Sequence, residues 1–345
     1  MITISVCMIV KNEEKILARC LDSLTGIADE LIVADTGSTD GTKEIAARYG
    51  AKLFDFPWDG DFSAARNFVF SKATADYVYS ADADEVLDEE NRRRFLHLKQ
   101  TLPPDIELVQ MRYSSRLQFN TAYNFDEEPR PKLFRRLRTF RWADPVHETV
   151  ELTPRVLDSG IVIRHLPQSL HSPRDFAILR HAAERSPLSA RLLRMYAMEL
   201  FISGTDADFA DALPVFEPVL HAESRSLGEV RAAQCVVVRA ARLKRDTETM
   251  FKNALKNVIS EPCAEVCCDL GDYFRSREDW EEAATWYYTA ANGAQSELDL
   301  RASGETPLPR LAECYEKLGL PAEAEACRRK AGQEPSFFSE NRNGS

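Results

Sequence analysis

Apolar residues in this chain fall first into short unbroken runs and later at helical spacing, and the change comes near residue 171. Residues 5–10, SVCMIV, form a continuous apolar run, the mark of a strand covered on both faces. Lys11-Asn12-Glu13-Glu14 breaks the run, and Ile16, Leu17, Cys20, Leu21 and Leu24 then keep helical spacing. A second buried strand over 30–34 runs into a turn, residues 35–42, rich in Asp, Thr, Gly and Ser. That turn hands over to a helix at 43–49, with Ser38 or Thr39 suited to the N-cap. Residues 51–56 predict a third strand, 64–72 a helix, and 77–81 a fourth strand. Strands alternating with helices through short connections predict an α/β domain with a doubly wound parallel sheet. Further on, 107–113 reads as a strand and the acidic, proline-marked 125–131 as a loop.

From Ser172 the pattern is wholly helical. Leu270-Gly271, Phe274, Ala283, Tyr287 and Ala290 match the tetratricopeptide pattern of small and aromatic residues in a helix pair. Leu311-Ala312, Tyr315, Ala324 and Ala331 repeat most of it after a longer interval than the usual period of about 34. An extra loop, 295–307, accounts for the excess. Tyr196-Ala197, Leu200, Ala212 and Phe216 make a looser copy, and helices within 227–255 fill the gap. Such units bury their apolar faces only by stacking, which predicts a short superhelical array. The array reads either as an acceptor-binding or homodimerising surface or as a brace for the first domain. The expected division is 1–170 for the α/β domain, 171–335 for the all-α repeat domain and 336–345 for a polar, disordered tail.

At 345 residues the chain has room for two cores. Its net charge of −11 argues against non-specific nucleic-acid binding, which needs basic surface. No apolar run reaches the roughly 18 residues of a membrane span, and the first residues read as a strand, not a signal peptide. Eight cysteines include no CxxC pair. The cluster Cys263, Cys267, Cys268 lacks a neighbouring His, so zinc is not expected, and a reducing cytoplasm is the simplest setting.

The candidate chemistry lies at strand ends. Asp82 and Asp84 follow the fourth strand at i, i+2, so they share a face if the extended geometry persists. Paired carboxylates there suit Mg²⁺ or Mn²⁺, at the place where open α/β sheets hold ligands. A solvated acidic turn continuing to Asp88, Glu89 and Glu90 is the plainer reading. Asp35 ends the second strand, where such an acid commonly takes a ribose hydroxyl. The turn after the first strand has no glycine, so phosphates must be held otherwise, and a metal on Asp84 bridging a diphosphate is the substitute. Residues 130–141 pack six basic residues among apolar ones: a surface facing a diphosphate or acidic acceptor, or a strand with one solvated basic face. His147 is a further metal-ligand candidate. Glu148 points to the opposite face if the segment is extended, and Asp144 competes with it as a base.

Four ordered pieces carry a resemblance: VKNEE at 10–14, VADTGSTDGT at 33–42, DFSAARN at 61–67 and ADADE at 81–85. Together they resemble the family 2 glycosyltransferases of GT-A fold, among them bacterial transferases that glycosylate a cysteine or serine of peptides and carry helical repeats. Lipopolysaccharide-core transferases share the motifs, so a saccharide acceptor stays open. The resemblance implies a Rossmann-like, doubly wound mixed sheet and inverting transfer from a UDP-sugar with Mn²⁺ or Mg²⁺. It implies donor contacts from Val10, Asn12, Glu13, Asp35, Thr36, Arg66, Asp82 and Ala83. Metal ligation by Asp84, Asp82 and His147, and a base at Glu148 or Asp144, complete the expected site. Many relatives carry two adjacent acids where this chain has Asp35-Thr36. A repeat scaffold that binds a nucleotide without turnover is the rival of another class, and transfer of a nucleotide to a sugar phosphate is a third reading.

Overall fold

The computed structural model describes residues 1–115, 127–137, 142–146, 149–150, 155–166 and 172–333. They fall into two compact units, the second beginning at Ser172. In the first, β1 (Ile4–Val10), β2 (Glu30–Asp35), β3 (Lys52–Asp55) and β4 (Tyr77–Ala81) run parallel in the order β3-β2-β1-β4. The intervening helices are α1 (Leu17–Ser23), α2 (Thr42–Arg48) and α3 (Phe62–Ser71). Val6, Met8 and Val10 of β1 pack into the core that holds Leu17 and Leu21, whereas Cys7 packs with Val69 on the other side. An unbroken apolar run is therefore what this strand requires, since neither face meets water.

The sheet continues through β5 (Glu85–Val86), β6 (Leu108–Ser115), β7 (Glu127–Arg135) and β10 (Val156–His165), with α4 (Glu89–Thr101) between β5 and β6, while β8 (Trp142–Ala143) and β9 (Thr149–Val150) form a separate ribbon. Beyond β4 the order is β7-β6-β10-β5, with β7 antiparallel to both β4 and β6. The sheet is thus mixed. The expectation of a loop over 125–131 is corrected from residue 127 onward: Pro129 and Pro131 lie in β7. There β7 pairs with β6, while its pairing with β4 is confined to Leu133–Arg135, so the missing N–H groups interrupt no second ladder. The helix α2 also corrects an expectation. Gly41 is its N-cap, and Ser38 and Thr39 bond to Asn12 instead.

In the second unit, α5 (Ser172–Arg185), α6 (Ala190–Ser203) and α7 (Asp206–Phe216) precede three antiparallel pairs. These are α8 (Leu227–Leu243) with α9 (Thr247–Ser260), α10 (Ala264–Arg275) with α11 (Trp280–Asn292), and α12 (Pro307–Lys317) with α13 (Pro321–Gln333). Gly271 of α10 faces Tyr287 of α11 so closely that a Cβ would lie 2.6 Å from the ring. The first helix of each pair ends beside a left-handed residue: Arg245 (φ 61°), Glu278 (φ 61°) and Gly319 (φ 74°). The expected loop between α11 and α12 holds a 3₁₀ turn at Leu300–Ser303. Buried Glu265 anchors it by accepting the N–H groups of Glu297, Leu298 and Asp299 at 3.1, 2.7 and 2.9 Å. Arg194 of α6 and Arg231 of α8 grip the Glu297 carboxylate at 2.6 and 2.9 Å. Seven of the eight cysteines are buried, all are free, and no His/Cys/Asp/Glu group of three suited to a metal occurs among the described residues. Among those residues no helix is long and apolar enough to cross a membrane.

Candidate functional site

Three parallel strand ends, β1, β2 and β4, bring the predicted residues to one edge of the sheet. The segments after β1 and β2 are sewn together. Asn12, at φ 57°, donates its N–H to Ser38 Oγ (2.9 Å), and its Oδ1 accepts the Thr39 N–H (2.8 Å). The Glu13 N–H donates to Thr42 Oγ1 at 2.7 Å. Thr36 gives both its N–H and its hydroxyl to the Val10 carbonyl, at 3.0 and 3.2 Å. Val10 itself is buried in the core. The Asn12 and Thr36 side chains thus shape the edge through contacts inside the protein.

Asp35 differs. Its side chain is fully buried, and Oδ1 accepts from the Gly37 and Ser38 N–H groups at 3.0 and 2.9 Å. Its Oδ2 has no hydrogen-bond partner among the described residues. A buried carboxylate oxygen left in this state carries a desolvation cost of about 1–3 kcal/mol or more. A ligand donor at this strand end would relieve it.

The acidic turn after β4 departs from the expected geometry. The strand stops at Ala81, and the Glu85 N–H closes a turn onto the Asp82 carbonyl at 3.1 Å. Asp82 and Asp84 therefore meet different partners. Asp82 lies 3.4 Å from the Arg66 guanidinium and 3.8 Å from Lys132 Nζ. Asp84 Oδ2 lies 2.9 Å from His165 Nε2. The methyl of Ala83 turns into the core, leaving only its backbone toward a ligand. Burial works to raise the Asp82 pKa, but the Arg66 and Lys132 cations outweigh it and hold the carboxyl below its usual range. Glu85 is pushed up to about 7 by burial, against the pull of Lys132.

Arg66 is nine-tenths buried, donates to Ser80 Oγ, and stacks 4.8 Å over the Trp142 ring. A solvated helix charge is thereby ruled out for it. The Asp61 carboxylate caps α3 by accepting the Ala64 N–H at 3.0 Å. Two helix residues clip the β8 segment to α3. Asn67 bonds the Trp142 backbone, and the Phe62 N–H donates to the Pro145 carbonyl at 2.9 Å. Asp144 lies in that segment at φ 74°, partly buried. His147 and Glu148 lie outside the described residues.

Sequence reasoning missed His165, Lys132 and Asn67. For His165 a signal existed: Ile161, Ile163 and His165 alternate on one strand face, and the run ends in a metal-binding residue type as β4 ends in acids. Of the basic stretch at 130–141, the described part is divided. Lys132 is buried against the acids, while Arg130 is exposed and lies 4.2 Å over the Tyr113 ring.

A mixed sheet with acids at these strand ends, followed by helical repeats, defines a GT-A type domain joined to an all-α unit. Residues 5–150, less than half of the chain, match Glycosyl transferase family 2. Among curated proteins, a TPR repeat-containing protein of Synechococcus elongatus is 52% identical over 87 residues, 25% of this chain and 22% of that one. An uncharacterized glycosyltransferase of Rickettsia typhi is 44% identical over 87 residues, 25% and 30% of the two chains. The glycosyltransferase SunS of Bacillus subtilis is 35% identical over 108 residues, 29% and 24% of the two. The matches span only 22% to 30% of these relatives' lengths. Among solved structures, a glucosyl-3-phosphoglycerate synthase of Mycobacterium tuberculosis in complex with Mn²⁺, UDP and glucosyl-3-phosphoglycerate is 27% identical. It covers 32% of this chain and 44% of that one, at a TM-score of 0.28.

Proposed function

We propose that the chain is an inverting glycosyltransferase that moves a sugar from a nucleotide-sugar, a UDP-hexose, to a cysteine or serine side chain of a peptide. A saccharide acceptor is the alternative within the same reaction class. The observation that carries this reading is the Asp84–His165 contact just after β4, on the sheet edge where Asp35 keeps a buried oxygen with no partner among the described residues.

Asp35 Oδ2 suits a donor N–H or hydroxyl of the base or ribose, and Arg66 gives the crevice a fixed positive charge. Asp84 offers a hard oxygen and His165 an imidazole nitrogen, a donor pair that fits Mn²⁺ and, less closely, Mg²⁺. The expected role of Asp82 as a further ligand is weakened by its two cationic partners. A divalent ion held there supplies charge neutralisation for the leaving diphosphate. In the transfer itself the acceptor's sulfur or oxygen bonds to the anomeric carbon as the bond from that carbon to the diphosphate oxygen breaks. The acceptor's proton passes to a carboxylate, for which Asp144 and Glu148 are the candidates. A thiol acceptor needs less help, because thiolate is accessible near neutral pH.

The test is UDP release from a panel of UDP-sugars with Mn²⁺, Mg²⁺ or EDTA, alongside calorimetric titration of UDP with Mn²⁺. Metal-dependent release from one donor, lost in Asp84→Ala, is expected. Absence of UDP·Mn²⁺ binding would sink the reading, whereas binding without release of UDP from any donor, with acceptors supplied, would favour the scaffold that holds a nucleotide without turnover.

A further inference from the structure

Three carboxylates stand within four residues of the turn after β4, and two buried cations answer them. Arg66 takes Asp82. Lys132, from β7, places its Nζ 2.5 Å from Glu85 Oε1 and 3.8 Å from Asp82 Oδ2. Both members of the Lys132–Glu85 pair are deeply buried, with side chains 6% and 3% exposed. The Tyr79 and Tyr113 rings lie 6.0 and 5.8 Å from the ammonium. Breaking such a pair by removing one partner leaves an uncompensated buried charge. Two charges this far from water need a reason, because apolar residues of similar volume would fill the same space as stably.

Glu85 supplies the reason. Its second oxygen, Oε2, accepts the Asp82 N–H at 3.2 Å, so the carboxylate that Lys132 holds also fixes the start of the turn. Across the sheet, Glu85 is the register partner of His165 in the β5–β10 ladder. The Asp84 carbonyl, between them, accepts the Leu166 N–H at 2.8 Å. One buried ion pair therefore connects β7, the beginning of the acidic turn, and the strand that delivers His165. Tyr113, which lies beside Lys132, also packs its ring 5.0 Å from that of His165.

We propose that Lys132 is a positioning residue of the donor site: through Glu85 and Asp82 it sets where Asp84 and His165 meet, without touching the donor. This rests on the donor-site reading given above. Residues that orient metal ligands from behind typically cost 10- to 100-fold in metal affinity when replaced.

The experiment measures Mn²⁺ binding directly, by loss of the free-ion resonance signal in the presence of UDP, and UDP binding in EDTA by calorimetry. The proteins are wild type, Lys132→Met, Lys132→Arg and the double variant Lys132→Met with Glu85→Gln. The double variant replaces both members of the pair by neutral side chains, so neither an ammonium nor a carboxylate is left buried without its partner. It keeps the fold testable if Lys132→Met alone does not fold. The expected result is UDP affinity in EDTA within about twofold of wild type and Mn²⁺ affinity weaker by roughly 10-fold or more in the double variant. Partial recovery is expected in Lys132→Arg. Equal Mn²⁺ affinity in wild type and double variant overturns the inference alone. Parallel loss of both affinities assigns Lys132 to folding only and overturns it too. A wild type that binds neither UDP nor Mn²⁺ overturns the donor-site reading and this inference with it.

Discussion

Asn67 and Trp142 are joined by a reciprocal pair of hydrogen bonds, the Asn67 Nδ2 donating to the Trp142 carbonyl at 3.1 Å and the Trp142 N–H donating to Asn67 Oδ1 at 2.9 Å. A side-chain amide here does what a neighbouring strand would do. It fixes a backbone segment that leads two residues later to Asp144. Asn67→Ala removes both bonds and is expected to cost about 1–3 kcal/mol in urea unfolding. Transfer activity measured below the unfolding transition should fall further than that loss accounts for, because the segment is no longer registered on α3.

The divergence of Asp82 and Asp84 leads to unequal substitutions. Asp84→Asn and His165→Ala should each abolish tight Mn²⁺ binding in the presence of UDP, measured by calorimetry. Asp82→Asn should weaken it less, because that carboxylate is engaged by Arg66 and Lys132. An equal loss from all three variants would restore the shared-face arrangement expected from the i, i+2 spacing.

Glu30 ties the opposite end of the sheet together. Its carboxylate accepts from Ser5 Oγ (2.5 Å), Thr74 N–H (2.9 Å) and Lys52 Nζ (2.5 Å). Burial pushes its pKa up, but these bonds prevail and hold it at about 2, against an ordinary 4.5. A depressed carboxyl contributes stability that is complete above pH 4.5 and is lost as the pH falls through about 2. The contribution is about 3 kcal/mol. Urea midpoints of wild type should therefore fall more steeply between pH 5 and pH 3 than those of Glu30→Gln.

Two substitutions in the helical unit should act with opposite signs. Gly271→Ala gains about 1 kcal/mol of helix propensity, yet the new methyl meets a Tyr287 ring that is buried and tied by its hydroxyl to Asp272 at 2.6 Å. Overpacking of this kind costs about 1–3 kcal/mol, so a net destabilisation is expected. Arg245→Gly instead relieves a left-handed residue, worth about 1 kcal/mol, and should raise the melting temperature. Gly319 already occupies the equivalent position after α12.

Strands β1, β2 and β4 were legible because each is largely buried and shows it as an apolar run, whereas β3, a half-exposed edge strand, offered only the short stretch at 51–56. The far half of the sheet was not. Pro129 and Pro131 of β7 carry the local signature of a loop, and only the absence of a second ladder there admits them to a strand. At the site, Asp35, Arg66 and the acidic turn were named from their motifs. Their arrangement was hidden, because period-two reasoning holds only while the chain stays extended and β4 stops at Ala81. His165 stands 81 residues from Asp84, and no local pattern links them. Lys132 sat in a basic stretch that reads as surface, and its burial depends on Glu85 across the sheet.

Helical repeats ordinarily touch only their neighbours, so the ends of such an array can fray while the middle holds. Glu297 removes that freedom. It lies in the loop between α11 and α12, yet its carboxylate is gripped from α6 and α8, and the backbone around it hangs on Glu265 of α10. One loop thus ties α6, α8 and α10 together across their separation in the chain. The stretch from α6 to α12 should give way in a single step, and the loop that interrupts the repeat is the part that makes it one body.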